Sequence, residues 1–151
     1  MILTCFQLAE RFIGTAELTG SAHHPLIQWW LSLCGYALDT PDEVPWCAAF
    51  CQAPPWLLRL PRSKSAAARS WLTVGRPIAL EHAHAANDVV ILTRGLFPQP
   101  GPEVLDAPGH VGFFAGLEGD RVLLLGGNQA NAVTVHPFSR QHVLGVQRLV
   151  D

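Results

Sequence analysis

The sequence predicts an α+β domain, with N-terminal helices packed on a C-terminal antiparallel β-sheet of about five strands. Three observations carry this. The first half holds short apolar segments at helical spacing, each punctuated by Gly or Pro. After Pro77 the pattern changes to apolar runs rich in β-branched residues. Those runs follow one another through turns too short for crossover helices, which makes neighbours antiparallel. A length of 151 residues fits one domain, residues 1–151, with a core of its own.

Taken in order, residues 3–13 suit a first helix ended by Gly14. Residues 25–33 suit a second, with Pro25 at its start and Gly35 as its stop. A third is expected over about 46–53, halted by Pro54-Pro55, with a further turn over 56–60. Ser65 caps a fourth, 66–74, closed by Gly75. The strand-like runs are 88–93, 110–115, 121–125, 132–136 and 143–149, and residues 116–120 form a hairpin turn between the second and third. Residues 95–109 form a long loop with four prolines, directly before His110; it is expected to wall a cleft.

Composition excludes several classes. A chain that is 49% hydrophobic and 15% charged is not disordered. A net charge of −2, with no basic run, leaves no footprint for nucleic acid or an anionic membrane surface. No stretch approaches the roughly 20 apolar residues of a spanning helix. Residues 1–9 are apolar but short and lack a positive flank, so no signal peptide is expected. Cys5, Cys34, Cys47 and Cys51 match no zinc template, no metal site is expected, and Cys5, Cys34 and Cys51 read as reduced core residues. His23, His24, His82 and His84 read as solvated loop, and Asp42 and Glu43 as pointing away from Cys47.

Chemistry concentrates at three motifs. In Pro45-Trp46-Cys47-Ala48-Ala49-Phe50, Pro45 suits the first helical position, which puts Cys47 in the first turn. Free N–H groups and the positive end of the macrodipole there favour a thiolate, the reactive form. His110, in Gly109-His110-Val111-Gly112-Phe113, supplies a base beside a strand, and Asn128, in Gly126-Gly127-Asn128-Gln129, lies at the end of the next strand, where its carboxamide can orient the imidazole. Trp46, Trp71 and Arg69 are the residues expected to line the cleft and contact substrate.

Those motifs, together with Ala66 to Gly75 and in this order, resemble the small bacterial and phage cell-wall hydrolases of the NlpC/P60 and CHAP superfamily, in particular its short single-domain branch with a PWC(S/A)AF motif. Asn87-Asp88 stands where that family usually has Gly-Asp, and Pro54-Pro55 follows the cysteine motif where polar and aromatic residues are usual. The resemblance implies a papain-like fold, a triad of Cys47, His110 and Asn128, and cleavage of an amide in the peptide stem or cross-link of peptidoglycan without a cofactor. With no signal peptide expected, the protein would be made in the bacterial cytoplasm and act in the periplasm or cell wall after non-Sec export, as a phage lysin or as a secreted antibacterial effector; an immunity protein or secretion machinery is a partner only in the effector case. The alternatives from the same residues are a catalytically silent wall-binding or toxin-like module, and an acyltransferase or deamidase using the same triad.

Overall fold

The computed structural model describes residues 2–151. Helices α1 (Cys5–Glu10), α2 (Pro25–Ser32) and α3 (Cys47–Leu58) precede strands β1 (Arg76–Ile78), β2 (Asp88–Thr93), β3 (Gly109–Glu118), β4 (Arg121–Gln129), β5 (Ala132–Ser139) and β6 (Val143–Arg148). All six strands join one antiparallel sheet in the order β1-β6-β2-β3-β4-β5. The α+β class with helices first is therefore what the chain adopts. β1 adds a sixth strand at one edge; at three residues, one of them Pro77, it carries little strand signal of its own and is recruited by β6. Among the described residues, no helix is long and apolar enough to cross a membrane.

α1 is shorter than its apolar pattern. It starts at a capping box, in which the Thr4 hydroxyl accepts from the Gln7 N–H and the Gln7 side chain accepts from the Thr4 N–H. The Cys5 N–H is taken by the Asn87 side chain at 2.9 Å and the Phe6 N–H by the Ala86 carbonyl at 2.9 Å, which ties α1 to the entry of β2. Asn87 thus has a structural task. α2 begins at Pro25 and is capped by the His24 ring, which accepts from the Leu26 N–H.

α3 does not stop at Pro54-Pro55; it runs through both to Leu58 and ends at Arg59 in the left-handed conformation. Two interior prolines cost about 3 kcal/mol or more each, through a lost hydrogen bond and a ring clash. Burial overrides that local preference: every residue from Cys47 to Pro55 is buried, as for a helix packed on all sides. The stretch 66–74 forms only a 3-10 helix, Ala68–Thr73, with the Ser65 hydroxyl accepting from the Ala67 N–H.

The main core lies between α3 and the sheet. Ala49, Phe50 and Ala53 pack with Val89, Ile91, Val111, Phe113 and Leu125, and Trp30 meets Phe50 edge-on at 5.0 Å. β2 is buried along its whole length, because its other side chains, Val90 and Leu92, join a second cluster with Phe114, Val122, Leu124 and Val146. Asp88 at its start is buried and forked by the Arg148 guanidinium at 2.8 Å through each oxygen.

Gly127 sets how closely β4 approaches α3. A Cβ there would lie 2.6 Å from the Trp46 ring and 2.7 Å from the Phe50 Cβ. Gly127→Ala is therefore expected to lower stability by about 1–3 kcal/mol, the usual cost of overpacking a tight core; the urea midpoint of unfolding measures it, and an unchanged midpoint would mean that the approach is loose.

Candidate active site

α3 starts at Cys47, with Trp46 as its N-cap and no side-chain cap. Cys47 is thus the first helical residue, not the third as a start at Pro45 would make it, and its sulfur lies among N–H groups of the first turn. Those of Ala48 and Cys47 itself favour the thiolate, as does the positive charge of Arg94, and the Val111 N–H does so more strongly than either. Burial nevertheless outweighs them, so the thiol ionises above its ordinary range. Only 5% of Cys47 is exposed. The expectation of a preformed thiolate at the helix start is corrected by this desolvation.

The spacing of Cys47 and Cys51 puts both sulfurs on one face of α3. Cys51 Sγ lies 3.8 Å from the Val111 carbonyl oxygen, while the Val111 N–H favours charge on Cys47. Two thiols about one turn apart therefore bracket the N–H and C=O of one strand residue. That N–H belongs to the peptide bond joining His110 to Val111, so the sulfur of Cys47 sits one peptide bond from the histidine. No hydrogen bond joins Cys47 to the His110 ring among the described residues.

The ring is held elsewhere. His110 Nε2 lies 2.9 Å from Gln129 Oε1. The Gln129 amide is pinned from its other end: Nε2 donates to the Thr134 carbonyl at 2.8 Å, the Thr134 hydroxyl at 3.1 Å and the Leu124 carbonyl at 3.3 Å. With the NH₂ group committed to acceptors, the oxygen must face His110, and His110 Nε2 must carry the proton. Nδ1 is left as the basic nitrogen. Burial holds the imidazole below its ordinary pKa against the raising effect of the Gln129 bond, and Arg94 and His136 push the same way as burial.

The carboxamide bonded to the His110 ring is thus that of Gln129, not that of its neighbour Asn128. Asn128 is half-buried at the rim of the adjoining pocket. The reason lies in the backbone. The β4–β5 register slips between Gly126 and Gln129, and Asn128, Ala130 and Asn131 all take positive φ, at 57°, 54° and 60°. Left-handed residues on both sides of Gln129 turn its side chain, rather than that of Asn128, back over the sheet. A Cβ at Gly126 would collide with the Gln129 amide oxygen, so Gly126 is the space that lets Gln129 reach His110.

The residues expected to contact substrate are all buried. Trp46 is fully enclosed, and its indole N–H donates to Glu17 at 2.9 Å. Trp71 is fully enclosed as well. Arg69 is 0% exposed and clamps the long loop before His110. Its Nε donates to the Pro108 carbonyl at 3.0 Å, and Nη1 to the carbonyls of Pro100, Gly101 and Val104 at 2.8–3.1 Å. Apolar packing claimed the two tryptophans and loop carbonyls claimed the arginine, neither of which is legible from residue type.

His23 and His24 are not plain solvated loop. The buried Asp42 accepts from the Leu18 and His24 N–H groups and from His23, which ties the loop between α2 and α3 to the segment before α2. Glu43, exposed, completes the only trio among the described residues whose donor atoms lie close enough for a metal ion. The Asp42 oxygens are already engaged by those donors.

A pocket of about 440 Å³ opens beside His110. Its walls include Arg94, Asn128, Gln129, His136, Phe138 and His142, and Cys47 is not among them. No family model matches the chain, and no curated protein matches it.

Two outcomes follow from the geometry. Gln129→Leu is expected to release the His110 proton from Nε2, whereas Asn128→Ala keeps it there; ring ¹⁵N chemical shifts of His110 report which nitrogen is protonated. Stability is expected to fall as pH rises above about 9. Burial raises the Cys5 thiol to about 12 and the Cys34 thiol to about 11, so the unfolded chain releases protons that the folded chain retains. Cys5→Ala should flatten that alkaline loss in a plot of melting temperature against pH; an equally steep loss would assign it to other groups.

Proposed function

We propose that the protein is a cysteine hydrolase that cleaves an amide bond in the peptide part of peptidoglycan, with Cys47 as nucleophile, His110 as base and Gln129 as the residue that orients it. The observation that carries this reading is the meeting of the three motifs around one peptide bond. The Cys47 sulfur lies against the Val111 N–H, and the preceding residue presents an imidazole whose tautomer is imposed by Gln129. A strained, glycine-flanked segment devoted to fixing one histidine nitrogen is costly as mere architecture. The peptidoglycan substrate and the papain-like fold rest on the resemblance of the motifs to cell-wall hydrolases.

In this reading both groups rest neutral. His110 Nδ1 takes the Cys47 proton as the S–C bond forms at the amide carbon, and N–H groups at the start of α3 hold the oxyanion. The imidazolium returns that proton to the amide nitrogen as the C–N bond breaks. Water, deprotonated by His110, then attacks the thioester; the carboxylic acid leaves and Cys47 regains its proton. The balance is amide plus water to acid plus amine.

A second reading, a wall-binding or toxin-like module without turnover, has the burial of Cys47 in its favour. Labelling with iodoacetamide separates the two. The hydrolase requires Cys47 to react faster than Cys5 and Cys34 at neutral pH; a rate no greater than theirs supports the silent module.

Cys47→Ala is expected to abolish release of muropeptides from purified sacculi while leaving the melting temperature within a few degrees. Gln129→Ala should reduce kcat by about 10²–10⁴, the range lost when a catalytic proton transfer is misdirected, and Asn128→Ala should cost far less. The acid limb of kcat/KM should lie below pH 6.5: attack needs a neutral imidazole, and burial depresses the His110 pKa, so activity is lost only as pH falls through that lowered value. A limb above 6.5 would contradict the burial of the ring.

A further inference from the structure

The pocket beside His110 has a chemistry of its own. Its charged and titratable wall is entirely basic: Arg94 together with His110, His136 and His142, with no Asp or Glu among the lining residues. Arg94 is exposed at the end of β2 and makes no salt bridge among the described residues. An unpaired guanidinium at the mouth of a concave site is a fork awaiting a carboxylate or a phosphate.

His142 is built in rather than dangling. Its Nδ1 lies 2.8 Å from the Thr93 hydroxyl, and its ring stacks on Phe97 with centroids 4.8 Å apart and planes 15° apart. Fixed on both sides, it leaves only Nε2 for a ligand. On the opposite wall, Phe138 packs against His110 at 5.1 Å and against His136 at 4.9 Å, which gives the site an apolar floor beneath a basic rim.

The side on which this pocket lies decides which part of a substrate enters it. In amide cleavage by a thiol, the acyl half stays on sulfur, and the half that departs is the amine protonated by the imidazole. The pocket is lined by His110 and not by Cys47. Within the hydrolase reading, a pocket on the histidine side and away from the sulfur is the space left for the departing half.

We propose that this pocket is the leaving-group subsite and that Arg94 selects a departing amine that carries a carboxylate, so that the amine product is an amino acid or short peptide with a free acid group near its new amino terminus. The proposal rests on the hydrolase reading for the direction of cleavage, and on the basic wall alone for the preference for an anion. A released product of this kind is a zwitterion, its ammonium next to His110 and its carboxylate on Arg94. An uncharged departing group leaves the guanidinium without a partner.

Binding and turnover test it separately. The binding probe is the acidic dipeptide alanyl-glutamate and its diamide, titrated into Cys47→Ala protein, with the ring protons of His110 and His142 followed by NMR. The free acid is expected to bind at least about tenfold more tightly than the diamide and to shift both rings. Arg94→Gln should bring the two affinities close to parity, and Arg94→Lys should restore part of the difference, because charge returns without the fork. In turnover, muropeptides with free carboxylates should be cleaved at least about tenfold faster, in kcat/KM, than the same muropeptides amidated, and Arg94→Gln should shrink that ratio. Arg94-dependent binding in a protein that hydrolyses nothing would keep the subsite and overturn the hydrolase. Equal cleavage of free and amidated muropeptides would keep the hydrolase and overturn the subsite, as would equal binding of acid and diamide.

Discussion

The rest of the structure depends on how the first two turns of α3 meet β3. Cys47 and Cys51 face the two polar groups of Val111, and around that contact Phe50, Phe113 and Leu125 close the core. Buried backbone groups need partners, and here thiols stand beside the polar groups of a strand residue. The contact places the start of α3 at His110 in sequence terms, and Gly127 lets β4 come down on the same helix at Trp46 and Phe50. Three separate stretches of chain are thereby held at one point by packing.

A second constraint sets the approach to that point. Arg69 is fully buried, and four carbonyls of the loop ahead of β3 bond its guanidinium. The usual use of a buried arginine is to pair with a carboxylate; this one instead gathers a proline-rich loop that has little else to bind it. The loop leads directly into His110 but gives only Gly95 to the pocket there, and the residue that shapes it is one expected to touch substrate. The same economy appears in Asp42, which from the loop after α2 binds backbone N–H groups of the segment before α2, at Leu18 and His24.

Much of the fold was legible. Five of the six strands, the order of helices before strands, and the start of α2 follow from local patterns that tertiary packing reinforces. The misreadings share a cause. Pro54 and Pro55 break helices in water, but a helix buried from Cys47 to Pro55 retains them. Residues 66–74 carry helix-forming alanines, yet the chain there tightens to a 3-10 helix, Ala68–Thr73, over the end of the sheet. Trp46 and Trp71 have the amphipathic character of cleft residues, but both rings are enclosed. At the histidine, a carboxamide after two glycines was the visible signal, and two adjacent carboxamides stood there. Choosing between them requires the bulge between β4 and β5 and the run of positive φ angles on either side of Gln129. A signal did exist: Asn tolerates the left-handed region far better than Gln does, so Asn128 suits the turn and Gln129 the bond.

By itself the sequence determined the α+β class, the antiparallel sheet, and the three motifs in which chemistry concentrates, because these depend on periodicity, on Gly and Pro, and on residue type. Only the tertiary structure decided which carboxamide holds the imidazole, that burial keeps both thiol and imidazole neutral, and that Arg69 is a clamp while Arg94 faces an open basic pocket. Those outcomes depend on desolvation and on the direction in which each side chain leaves the backbone. Both are properties of neighbours brought together from distant parts of the chain, and local patterns alone do not settle them.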